Sequence, residues 1–284
     1  MAVAGKYVED YKIPLGDYTE IFFDWLVDNA AGFFDVISDS LEWLISLLTS
    51  GLLWLHPAAF IVLVGAVAFK VHRSVSLVIF SLASLLLIWN LGYWQETMET
   101  LSLVLYATFF CMLIGLPMGI YAAHHPWLYR VLRPVLDLMQ TVPTFVYLIP
   151  TLTLFGLGVV PGLISTIIFA IAAPVRLTYL GISEVPKELI EAGQSFGATK
   201  TQLLFRIELP AAASSIAAGV TQCIMLSLSM VVIAALVGAD GLGKPVVRAL
   251  NTVDIASGFE AGLAIVLLAI LLDRLFKQKQ QVSV

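Results

Sequence analysis

The chain has 284 residues, 60% of them hydrophobic and only 12% charged, with a mean hydropathy of +0.94. A water-soluble domain carries roughly 25% charged residues, so one core cannot bury this much apolar side chain, and the composition excludes a soluble protein in favour of one solvated by lipid. The net charge of −5, with nine acids against two lysines in residues 1–45, argues against a nucleic-acid partner.

Residues 1–16 read as an extracytoplasmic tail, too acidic and too late in its first apolar run for a cleavable signal peptide. Residues 17–50 follow as an amphipathic helix. On a helical wheel Asp24, Asp28, Asp35, Asp39 and Glu42 fall within about 60° of one another, with Phe22, Leu26, Phe33, Ile37 and Leu44 opposite. That pattern places the helix on the outer membrane surface, apolar face down. It serves there either as a passive belt or as a dock for a partner or a second subunit.

Residues 51–275 form the membrane domain. A bilayer core about 30 Å thick needs roughly 20 apolar residues per helix, which selects seven stretches: 51–69, 74–91, 97–121, 134–155, 160–178, 211–237 and 258–275. The expected class is an all-α polytopic membrane protein of about seven transmembrane helices. With 70–73, 122–133, 176–210 and the chain after 273 (cytoplasmic tail 276–284) placed inside, eleven of the 15 Lys and Arg residues are cytoplasmic. Only Lys6, Lys12, Lys244 and Arg248 lie outside, which orients the chain N-out and C-in.

No nucleophile–base pair, metal-ligand spacing or phosphate-binding loop occurs, so neither catalytic residues nor a metal site are expected. Cys111 and Cys223 lie in apolar runs and read as small buried side chains. Gly115 and Gly119 make a GxxxG pattern for close helix packing. Asp137, at membrane depth, is either the partner of Arg133 one turn earlier or part of a gate. In "MQTVPTFVYLIP" (139–150), Pro143 and Pro150 free backbone carbonyls, while Gln140, Thr141, Thr144 and Tyr147 add hydrogen-bonding groups. This is a kinked packing helix or a broken one lining a pathway. Phe145 and Tyr147 are core filler or faces for a quaternary ammonium.

Between the fifth and sixth stretches lies a polar insert, 183–210. Pro186 suits the first turn of a helix with Ser183 or Glu184 before it, Gly197 ends that helix, and Thr199 with Gln202 makes a capping box. The second helix runs 200–207, and Pro210 marks the boundary before the sixth stretch. Ala192 and Gly193 leave a patch without bulk, Glu188 and Glu191 edge it with charge, and Phe196 and Leu203 supply apolar anchors. Such a helix fits a groove on a rigid partner.

The run Glu191-Ala192-Gly193, then Gly197, then Ile207-Glu208-Leu209-Pro210 resembles the EAA loop of ABC importer permeases, with Gly193 in place of the usual third alanine. "DLMQT" (137–141), "FVYLIP" (145–150) and "LSMVVIAALVGADGLG" (228–243) resemble its glycine betaine, proline and choline branch. The resemblance covers roughly residues 55–275. It implies a type I importer permease of the bacterial inner membrane, translocating a quaternary-amine solute delivered by an external binding protein. It also implies two copies of the chain over two ATPase subunits, which engage the 183–210 loop through Glu188, Glu191, Ala192, Gly193, Phe196, Gly197, Leu209 and Pro210. ATP and magnesium would then sit on those subunits, with no cofactor on this chain. Asp137, Gln140, Thr141, Pro143, Phe145 and Tyr147 are the pathway candidates. The rivals are a permease for another small solute such as an amino acid, an ion-coupled carrier, and a membrane-embedded enzyme or scaffold.

Overall fold

The computed structural model describes residues 14–277, and every regular element among them is helical. Most of the expected outer tail, with Lys6 and Lys12, lies outside the described residues, as does most of the inner tail with Lys279.

The first helix, α1 (Leu15–Trp54), is longer than expected and unbroken for 40 residues. Its acids Asp24, Asp28, Asp35, Asp39 and Glu42 are exposed, and among its residues only Ile45 is buried. The protein-facing side is narrow: Leu41 and Ile45 pack with Ala107 and Leu163, and Phe34 meets Phe155 edge to face with ring centroids 5.4 Å apart. The stretch expected at 51–69 is divided, because α1 continues through Trp54 and α2 (Pro57–His72) starts afresh. His56 caps α2, its Nδ1 accepting from the Ala58 N–H, and Pro57 sits in the first turn, where its missing N–H costs nothing. Arg73, in the left-handed region at φ 48°, ends α2, and α3 (Val75–Asn90) folds back along it. The buried His72 imidazole ties this hairpin to the Leu275 carbonyl at 3.0 Å.

The centre of the bundle is built by α4 (Trp94–His124), α7 (Val159–Ala170), α8 (Ala172–Ser183) and α11 (Leu209–Ala234). Small residues set the spacing here, as the GxxxG pattern predicts. A Cβ on Gly119 would lie 2.6 Å from Thr178 Cβ and 2.8 Å from the Val175 carbonyl oxygen, so α4 and α8 pack nearly backbone to backbone. Cys111 and Cys223 are free and buried where α4, α7 and α11 meet, as expected. Buried hydroxyls of Ser102, Thr166 and Ser227 donate to carbonyls one turn back, which satisfies them without partners on other helices.

Beyond α11, residues 238–243 turn back against α4, where the Leu242 N–H donates to Thr100 Oγ1 at 2.8 Å in a buried site. Then follow α12 (Gly243–Thr252) and α13 (Ile255–Phe276). Asp254 caps α13, accepting from the Ser257 N–H and Oγ–H, and these bonds hold its carboxyl below the usual range. A depressed pKa stabilises the ionised cap above the ordinary carboxylate range and loses that contribution as pH falls through the lowered value. The first turn of α13 is therefore expected to fray in acid, measurable as a lower amide protection factor at Ser257.

Five described stretches are long and apolar enough to cross a bilayer: Leu15–Trp54, Trp94–His124, Val159–Ser183, Lys200–Val237 and Ile255–Phe276. The bent pair Pro126–Thr141 and Thr144–Phe155 makes a sixth if counted as one span. Of the about seven stretches expected, those at 51–69 and 74–91 become the shorter apolar helices α2 and α3, 16 residues and about 24 Å each against a core of about 30 Å.

Candidate functional site

Two regions hold the residues singled out by sequence: the polar insert and the broken helix.

In the insert, α9 (Lys187–Ser195) starts one residue later than expected. Pro186 is its N-cap, at φ −55° and ψ 131°, and no side chain caps it, so Ser183 and Glu184 do not serve. Its C-terminus follows expectation. Gly197 takes φ +76°, its N–H donates to the Gln194 carbonyl, and the Ala198 N–H donates to the Gly193 carbonyl, a Schellman closure. The capping box also forms: the Gln202 N–H donates to Thr199 Oγ1, and the Thr199 N–H to Gln202 Oε1.

The second helix is not a separate element. α10 (Lys200–Leu203) runs through a π-helical turn, Leu204–Glu208, into α11, giving one 38-residue helix. Pro210 therefore lies inside a helix instead of bounding one. The π turn explains how: the Leu209 N–H donates to the Leu204 carbonyl, widening the helix just ahead of the proline ring. The insert is thus directly continuous with a core span.

Gly193 also differs from expectation. A Cβ there would meet Ile207 Cδ1 at 2.5 Å and Leu203 Cδ2 at 2.7 Å, so its lack of bulk lets α9 pack on this chain's own α10 and π turn. Leu203 is buried beneath it and is no outward anchor. The outward face of α9 is Leu189, Ala192 and Phe196, flanked by Glu188 and Glu191, all exposed, with Phe196 93% exposed. Because the atoms facing Gly193 are ends of flexible side chains, Gly193→Ala is expected to cost less than about 1 kcal/mol and Gly193→Leu about 1–3 kcal/mol. Thermal unfolding of the purified variants measures the difference.

Where the insert enters the core, Glu208 is buried and its Oε2 lies 2.9 Å from His124 Nε2 at the end of α4. His124 Nδ1 donates to the Ile120 carbonyl, which turns Nε2 towards the Glu208 carboxylate. This contact links insert to bundle, and sequence reading missed it. An acid inside an apolar turn at the membrane boundary was its signal.

The broken helix is α5 (Pro126–Thr141), a 3-10 turn at Thr144–Tyr147 and α6 (Leu148–Phe155), bent by 105°. Much of the expected 122–133 linker is therefore helix. Pro143 has no N–H for the Met139 carbonyl, and the Tyr147 hydroxyl donates to that carbonyl instead, at 2.8 Å. Tyr147→Phe is expected to lower stability by about 1 kcal/mol, read as a lower melting temperature. Thr151 and Ser165, with hydroxyls 2.8 Å apart, fix α6 to α7. Phe145 is 58% exposed, and Thr141 and Pro143 are also exposed at the bend, with Gln140 half-buried.

Asp137 does not pair with Arg133. Its Oδ1 accepts from Arg176 Nη2 of α8 at 2.6 Å, because α8 runs beside α5 and presents a guanidinium to it. Arg176 was counted only as a cytoplasmic charge from sequence. No metal-binding cluster occurs among the described residues.

Residues 115–278 match the family model described as "Binding-protein-dependent transport system inner membrane component". The chain is 43% identical over 264 residues to a glycine betaine transport system permease protein of Bacillus subtilis, covering 93% of each chain. It is 48% identical over 222 residues to a glycine betaine/carnitine transport permease protein of Listeria monocytogenes, covering 77% of this chain and 79% of that one. A glycine betaine/proline betaine permease protein of Salmonella typhimurium is 50% identical over 215 residues, 76% of this chain and 60% of that one. Among solved structures, an inward-facing methionine ABC transporter chain superposes with a TM-score of 0.56 at 24% identity, covering 61% of this chain and 87% of that one.

Proposed function

The chain belongs to the family of binding-protein-dependent transport system inner membrane components, and from that premise we propose that it is the membrane-spanning subunit of an ATP-driven importer for a quaternary-amine solute such as glycine betaine. It is a multi-pass protein of the bacterial cell membrane and a transport permease, with ATP hydrolysis on a separate subunit in systems of this kind. The family implies an ATPase partner and a substrate-binding protein.

The finer assembly is two copies of this chain, N-terminus out, with α9 of each docked on one ATPase and the binding protein on the outer face. ATP and magnesium would bind the ATPases. The observation that carries this reading is the exposed face of α9. A helix closed at its C-terminus and packed on its own chain through Gly193 nevertheless presents Phe196 almost wholly to solvent. Continuity of α10 with α11 supports transmission, because force on the insert then moves a core span without a flexible joint. Closure of the ATPases on ATP would draw the two α9 helices together and rock the spans outward-facing. The bend at residues 141–147, with Asp137, Gln140 and Phe145, is the proposed pathway lining.

The test is uptake of labelled glycine betaine into proteoliposomes holding permease, ATPase and binding protein. Uptake should require ATP and survive collapse of proton and sodium gradients. Uptake that follows an ion gradient without ATP would sink the proposal.

A further inference from the structure

Helix α5 has three distinct faces. Leu128, Leu132, Leu136 and Met139 turn towards the core, while Trp127, Val131, Val135 and Leu138 form an exposed apolar face. Arg130, Arg133, Asp137, Gln140 and Thr141 occupy the third face, within about 100° on the wheel. Charged side chains at membrane depth face the bundle interior or a water-filled cavity. Arg130, Arg133, Asp137 and Thr141 are exposed on this face, which forms a polar strip from the bend to the start of α5.

One turn before the bend on that strip, Asp137 meets Arg176, and the pair is incompletely engaged. One carboxylate oxygen accepts from one guanidinium nitrogen, while Arg176 Nε is buried with no acceptor among the described residues. The Asp137 side chain remains 53% exposed and that of Arg176 32%. A buried donor without an acceptor beside a partly exposed carboxylate suits a group that brings both an acceptor and a positive charge.

We propose that Asp137 and Arg176 form a binding site for a zwitterion carrying a carboxylate and a quaternary ammonium; this rests on the importer function proposed above. Without solute the two side chains neutralise each other. An arriving solute exchanges partners with them: its carboxylate takes donors of Arg176, including Nε, and its ammonium faces Asp137. The site is neutral before and after, so the exchange adds no net charge to it. A trimethylammonium group has no N–H and is recognised through charge alone, which a carboxylate supplies without a donor geometry to match. The carboxylate end needs direction, and the planar fork of arginine supplies it where lysine would not.

The experiment uses the reconstituted complex and labelled glycine betaine. Asp137→Asn, Arg176→Lys and the paired variant D137N/R176Q should each lower uptake at least about tenfold, the scale of one lost charge-assisted hydrogen bond to a bound ligand. Melting temperatures should stay within about 4 °C of the parent, since a partly exposed ion pair contributes little to stability. Val135→Ala, on the exposed apolar face, should transport normally. If the pair merely pins α5 to α8, D137N/R176Q retains an amide–amide hydrogen bond and transports at the parental rate, which overturns the proposal. Should that variant fail to assemble, R176K decides, because it keeps the charge but not the fork, and full uptake by it overturns the proposal. Absence of ATP-driven uptake in the parent complex would instead sink the importer function itself.

Discussion

Phe196→Ala is expected to reduce ATP-driven uptake about thirtyfold or more while leaving the permease as stable as the parent. Phe196 is 93% exposed at the end of α9 and supports nothing within the chain. A large aromatic ring held in water by a capped helix is the composition of an interface anchor, and such anchors contribute about 2 kcal/mol or more to binding, which is thirtyfold in affinity. Glu191→Arg, on the flank of the same exposed face, should act in the same direction. The measurement is co-purification of the ATPase with detergent-solubilised permease, alongside uptake and a melting curve. If Phe196→Ala retains the ATPase and full uptake, α9 is not the docking helix. If melting falls with uptake, Phe196 supports the fold.

The second large effect lies in the core. Gly119→Ala is expected to destabilise the permease by about 1–3 kcal/mol, and Gly119→Leu by more. The new Cβ would meet Thr178 Cβ at 2.6 Å and, more seriously, the Val175 carbonyl oxygen at 2.8 Å. Backbone cannot rotate away, so α4 and α8 must separate. One turn away, Gly115 lies with its virtual Cβ 3.1 Å from Pro174 Cγ, so separation at one point is resisted at the next. The contrasting position is Gly32 in α1, where a Cβ meets nothing within 4 Å. Gly32→Ala should stabilise α1 by up to about 1 kcal/mol through helix propensity. Opposite shifts in melting temperature for the two Gly→Ala variants would confirm that packing, and not propensity, sets the cost at Gly119.

Much of the polar insert was legible because its signals are local. Thr199 and Gln202 can satisfy each other's backbone only in a capping box, and Gly197 takes a φ of +76° that other residues adopt at a cost. The placement of Gly193 was not legible. Its neighbours Leu203 and Ile207 lie ten and fourteen residues on, and only the folding of α9 against the π turn brings them to it. Asp137 shows the same division. Sequence spacing offered Arg133 as its partner, whereas the structure supplies Arg176, 39 residues away.

By itself, the sequence determined that the chain lives in lipid, that it is helical throughout its apolar stretches, and that one capped polar insert interrupts them. Those properties follow from composition, periodicity and backbone satisfaction, each of which acts within a few residues. Only the tertiary structure decided which side of Gly193 faces the protein, that Pro210 sits within one continuous 38-residue helix, and that the two stretches after α1 form helices of 16 residues each. It alone decided that Glu208 meets His124 and Asp137 meets Arg176. Those outcomes depend on which helices become neighbours, and close approach at Gly115 and Gly119 sets that arrangement through contacts far apart in the chain.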